Sequence, residues 1–227
     1  MKDYSNLNKT GNEILIHSIL AAAGLFCCGI GIYLTLQANI GVSPWDVFHQ
    51  GIAGRTGMLY GNVSVLTALI IVVIDIFMKE PIGIGMFLDA FIVGKAVDFC
   101  AWLGFLPVQT SLPAGIFWML LGLTITACGM RIYMGCGLGC GPRDTLLVAL
   151  CKRTGLPIGA VTMLIYAVVT AVGWLLGGQI GLGTILGVAY TGPMLQLICR
   201  LTGFDAAKVT HQNLLESVHI LTARPTL

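Results

Sequence analysis

Proline, aspartate and arginine recur at matched places in this chain, inside sequence that is otherwise apolar. Ser43-Pro44-Trp45-Asp46 and Gly141-Pro142-Arg143-Asp144 stand 98 residues apart, and each runs on to Arg-Thr-Gly (Arg55-Thr56-Gly57 and Arg153-Thr154-Gly155). Proline suits the first position of a helix, where a missing N–H costs nothing. Ser43 or Gly141 then holds the N-cap and the aspartate falls at the third position. Two readings share this geometry. In one, the aspartates only start a helix, bonding back to the cap N–H and facing the positive end of the dipole. In the other, the two helix starts face a cavity, where their free N–H groups and the Arg143 fork would hold an anionic or carboxylate-bearing group.

A second set of chemically able residues is Asp89, Lys95 and Asp98, all inside one apolar run. Ionisable groups at membrane depth are costly and usually face a bundle interior or a wet cavity. Lys95 and Asp98 are three apart on one helical face, so an ion pair is available. Such a pair locks helices together, or couples and gates by exchanging partners.

The elements that must position these residues are membrane helices. The chain is 56% hydrophobic and 10% charged over 227 residues, with mean hydropathy +0.90. A soluble domain carries roughly 25% charge. Spans are expected at about 14–37, 61–78, 82–106, 112–134, 157–177 and 180–200, each near the length that crosses a bilayer. The segments after Pro44 and Pro142 are too short and too polar to cross. The first apolar run reads as a span rather than a signal peptide.

The 98-residue offset extends well beyond the two motifs. It pairs Gly61 with Gly159, Gly83 with Gly181, Gly85 with Gly183 and Gly94 with Gly192, giving fourteen identities between 41–94 and 139–192. This marks an internal duplication. Three spans per half is an odd number, so the halves enter the membrane in opposite senses. Ten of the twelve Lys and Arg fall on the inner side if both termini are cytoplasmic, against Arg55 alone outside.

The expected architecture is therefore an all-α polytopic membrane protein. It has six transmembrane helices arranged as two inverted three-helix repeats, each with a short helix, re-entrant or interfacial, after its first span. A lead-in covers 1–13, the first repeat 14–106, the second 112–201 and a cytoplasmic amphipathic tail 202–227.

Smaller features have plainer readings. Cys27, Cys28, Cys100, Cys128 and Cys199 fall in or beside apolar runs, where cysteine acts as a small hydrophobe. Cys136 and Cys140 lack a nearby ligand set, so no metal is expected. His49 and Gln50 read as interface polar groups. Arg55 and Arg153 read as caps of their own short helices. No nucleotide-binding fingerprint, zinc-protease motif or nucleophile elbow is present. No enzyme and no cofactor are expected, and a net charge of +2 gives no reason for a nucleic-acid partner.

Ala38-Asn39-Ile40-Gly41-Val42-Ser43-Pro44-Trp45-Asp46, followed by His49-Gln50-Gly51, resembles the first signature of the YczE/YyaS/YitT group of bacterial integral membrane proteins. Gly139 to Asp144, Arg153-Thr154-Gly155, Gly173 to Gly178 and Gly181 to Thr184 resemble the second. The likeness is to the YczE branch and covers nearly all of 14–203. It implies a bacterial cytoplasmic membrane protein of several spans and lends no catalytic residues.

The function expected from the residues is a secondary-transporter-like permease for a small solute. Ser43, Pro44, Trp45, Asp46, Gly141, Pro142, Arg143 and Asp144 would bind the solute, and Asp89, Lys95 and Asp98 would couple or gate. The expected partners are the lipid bilayer, the solute and, optionally, a second copy of the chain. A channel or a non-transporting scaffold fits the same sequence.

Overall fold

The computed structural model describes residues 11–204, and every regular element among them is a helix. In order these are α1 (Gly11–Gln37), α2 (Pro44–Thr56), α3 (Tyr60–Phe77), α4 (Ile84–Leu103), α5 (Leu112–Gly135), α6 (Pro142–Thr154), α7 (Ile158–Leu175) and α8 (Leu182–Leu201). The amphipathic helix expected in the tail lies outside the described residues, as does most of the N-terminal lead-in.

Among the described residues, five helices are long and apolar enough to cross a membrane: Ile14–Gln37 within α1, together with α3, α5, α7 and α8. The twenty-residue α4 matches α8 in length but carries Asp89, Lys95 and Asp98. The outward faces match a lipid setting. Leu66, Ile70, Val73 and Phe77 form one stripe along α3 and are 49–79% exposed. In water such a stripe would have to be covered; against acyl chains it needs no cover. The chain is a polytopic membrane protein.

The centre of the molecule is the crossing of α1 and α5. Gly24, Cys28 and Gly31 share a face of α1, and the matched Gly122, Thr126 and Gly129 share the same face of α5. Gly24 packs on Gly129 and Gly31 on Gly122, so the two helices run antiparallel. A methyl on Gly31 would stand 2.5 Å from the Gly122 carbonyl oxygen, and one on Gly122 2.6 Å from that of Gly31. Only backbones bare of side chains approach so closely, and in lipid that packing replaces the hydrophobic drive. Around the crossing, Tyr33, Leu34, Val97, Cys100 and Leu106 form one buried cluster, with the Tyr33 hydroxyl donating to the Leu106 carbonyl at 2.9 Å.

The same reciprocity recurs outside the crossing. Gly85 N–H donates to the Leu138 carbonyl and Gly183 N–H to the Ile40 carbonyl, both at 2.8 Å, and each donor and acceptor pair is displaced by 98. α2 packs on α7, and α6 on α3, so each short helix belongs structurally to the opposite half.

Candidate functional site

The two short helices begin as their sequences predict. Ser43 and Gly141 are extended N-cap residues, Pro44 and Pro142 take the first turn, and Gly57 and Gly155 end the helices in the left-handed conformation (φ 71° and 69°). The capping role expected of the aspartates is not what the structure uses. Neither Asp46 nor Asp144 bonds back to its cap, the Ser43 side chain does not bond forward, and Gly141 has no side chain to do so. Asp46 is turned to Tyr60 and Asp144 to a cavity, which leaves the first N–H groups of each helix without a side-chain cap.

The far ends fix where the helices point. Arg55 Nε donates to the Leu176 carbonyl at 3.2 Å, and Arg153 donates to the Met78 carbonyl at the same distance. Each arginine therefore caps a span of the opposite half, α7 or α3, rather than its own helix as the sequence suggested. At the near ends, Ser43 Oγ packs on Gly187 and the Gly141 backbone packs on the Asp89 carboxylate. Gly187 and Asp89 are matched positions, each five residues into its span, or about 8 Å along it at 1.5 Å per residue.

From these two depths the side chains at matched positions Trp45 and Arg143 reach each other. The Arg143 guanidinium carbon lies 5.1 Å from the Trp45 ring centroid, within cation–π range. Cys28 and Thr126, also matched, meet in the same way, with Cys28 Sγ 3.5 Å from the Thr126 carbonyl oxygen.

The two aspartates differ sharply. Asp46 is 5% exposed, and its Oδ1 accepts the Tyr60 hydroxyl at 2.6 Å. His49 Nδ1 lies 3.3 Å from the same hydroxyl, so Tyr60 bridges the two. His49 is fully buried, not the interface residue its place on a polar helix suggested. The counterparts of Tyr60 and His49 are Ile158 and Leu147. Asp144 accordingly accepts no hydrogen bond from a described side chain and presents its carboxylate to open space.

That space is a cavity of about 580 Å³ bounded by α1, α2, α5, α6, α7 and α8. Ser43, Pro44, Trp45, Asp46, Arg143 and Asp144 line it, with Thr126, Thr162, Tyr166 and Thr191 as further polar groups. Sequence reasoning missed these four. The sequence carried little signal for them, since Thr126, Thr162 and Thr191 each donate to the carbonyl four residues earlier, as threonines on any apolar span can. A smaller cavity of about 150 Å³ lies between α3 and α4, lined by Asp89, Ser64, Gly141, Arg143 and Asp144 among others.

Of the residues expected to couple or gate, Asp89 is brought to the smaller cavity, whereas Lys95 and Asp98 line neither. Lys95 Nζ lies 3.6 Å from Asp98 Oδ2 and bonds to Asn62, with its side chain 55% exposed. Asp98 Oδ1 accepts the Gly61 N–H at 2.7 Å. The pair ties α3 to α4.

The family model described as a family of unknown function (DUF6198) matches residues 15–200. The chain is 31% identical over 186 residues to the uncharacterized membrane protein YczE of Bacillus subtilis, covering 81% of this chain and 86% of that one. It is 32% identical over 184 residues to an uncharacterized protein of Haemophilus influenzae (81% and 83%), and 31% identical over 183 residues to YyaS of B. subtilis (77% and 88%). No solved structure matches. The chain belongs to the DUF6198 family, and YczE is among its relatives.

Proposed function

Taking membership of this membrane-protein family as the premise, we propose that the protein is a secondary-transporter-like permease for a small solute. The solute binds in the larger cavity, between the starts of α2 and α6. The observation that carries the reading is the meeting of Trp45 and Arg143 beside the unpaired Asp144, at the wall of a roughly 580 Å³ cavity. Two uncapped helix starts, one guanidinium and one free carboxylate there offer both signs of polar contact, as broken helices do in transporters.

Six spans complete this reading, with α4 as the sixth. Its charges are met by Gly61, Asn62 and the smaller cavity, which lowers the cost of placing them in the membrane. The antiparallel α1 and α5 support halves of opposite sense, and Lys and Arg placement supports cytoplasmic termini in a bacterial inner membrane. A carrier is favoured over an open channel by the Gly61–Gly94 contact, which shuts the space between α3 and α4.

The test is uptake into proteoliposomes of an isotope-labelled panel of small amines, amino acids and carboxylates. One or more panel members should enter with the wild-type protein and fail to enter with Asp144→Asn, the variant remaining folded and monodisperse. Equal uptake by both proteins would remove Asp144 from the site.

A further inference from the structure

The two cavities are counterparts. Moving the lining of the smaller one by 98 positions gives lining of the larger: Ser64 becomes Thr162, Ala68 becomes Tyr166, and Asp89 becomes Gly187. Both are walled by Arg143 and Asp144. They differ in the seam between their flanking spans. Gly61 on α3 and Gly94 on α4 are packed backbone to backbone, so that a methyl on Gly61 would overlap the Gly94 carbonyl oxygen. Their counterparts Gly159 on α7 and Gly192 on α8 have nothing within 4 Å of where a Cβ would stand, and both line the larger cavity. One seam is shut and the other is parted, though the glycines are the same.

The shut seam also carries a latch with no equivalent. Asp98, Lys95 and Asn62 hold it, and their counterparts are Gln196, Pro193 and Ala160. These three replacements cannot rebuild a charged clasp.

We propose that the smaller cavity is the closed second mouth of the pathway whose open mouth is the larger one, and that the Gly61–Gly94 seam is its gate. The proposal rests on the permease reading. Parting α3 from α4 while α7 closes on α8 exchanges the two cavities around the fixed Arg143 and Asp144. Matched backbones supply both arrangements, so their free energies lie close, and the Asp98–Lys95–Asn62 latch biases the balance toward the one described. With cytoplasmic termini, Gly61 stands near the outer end of α3 and Gly159 near the inner end of α7. The conformation described is then open to the inside.

The test needs no solute. Ser64→Cys, at a position 4% exposed in the smaller cavity, and Thr162→Cys, in the larger, are each exposed to a membrane-impermeant maleimide. Right-side-out and inside-out vesicles are used, and the modified peptide is read by mass spectrometry so that native cysteines do not interfere. Alone, Thr162→Cys should label from the inside and Ser64→Cys should be protected. Adding Gly61→Ala, which forces the seam apart, should raise Ser64→Cys labelling about tenfold from the outside and lower Thr162→Cys labelling. If Gly61→Ala does not insert, Asp98→Asn, which weakens the latch without adding volume, reads the same exchange. Unchanged Ser64→Cys labelling, labelling from the inner face, or a common rise at both sites overturns the gate. Reciprocal labelling without uptake of any panel solute would instead count against the permease reading.

Discussion

Trp45 and Arg143 occupy the same position in the two halves of the chain and stack on each other, the guanidinium carbon 5.1 Å from the indole centroid. Identical places holding an aromatic and a cation make a contact that two identical residues could not. A desolvated cation–π pair is worth about 0.5–2 kcal/mol. Trp45→Leu and Arg143→Gln should each destabilise the protein, and the double variant should lose less than their sum by about 1 kcal/mol. Denaturation in detergent micelles measures this; strict additivity would show that the stack contributes nothing.

The unequal aspartates give a second contrast. Tyr60→Phe removes the donor to Asp46 and strands a buried carboxylate, so it should destabilise by about 1.5–3 kcal/mol. Asp144→Asn breaks no hydrogen bond to a described side chain and should leave stability within about 0.5 kcal/mol of wild type. Melting curves of the two purified variants decide the matter, and a larger loss from Asp144→Asn would reverse the assignment.

Much of this arrangement was legible in the sequence. The 98-residue offset, the Pro-x-Asp starts and the Arg-Thr-Gly ends mark two short helices per chain, and the structure brings their starts together through Trp45 and Arg143. The pairing of Lys95 with Asp98 was also legible from its spacing. The tie between Asp46 and Tyr60 was not, because the tyrosine enters from the next helix and no local pattern announces it. Nor was the direction of Arg55 and Arg153, since a basic residue after a helix looks alike whether it caps that helix or another. Least legible was the difference between the seams. Gly61 and Gly94 have the same identities as Gly159 and Gly192, and a repeated residue cannot say which copy is in contact.

Glycine substitutions separate packing from conformation. Gly122→Leu places a side chain where the Gly31 carbonyl oxygen now sits and should abolish folded protein in the membrane. Gly54, on the exposed end of α2, has nothing within 4 Å of where a methyl would stand, so Gly54→Ala should be neutral or stabilise by up to about 1 kcal/mol. Detergent-extracted yield with size-exclusion profiles compares the two; equal behaviour would show that the α1–α5 crossing does not organise the fold.

The opposite sense of the two halves is the claim on which the shared site depends, and Thr56 and Thr154 test it most directly. They are matched, exposed residues at the ends of α2 and α6. Thr56→Cys and Thr154→Cys, treated with a membrane-impermeant maleimide in right-side-out vesicles, should differ. The first should label at once, and the second only after the membrane is permeabilised. Labelling of both from the same face would contradict the inverted arrangement, and with it the meeting of two helix starts from opposite sides.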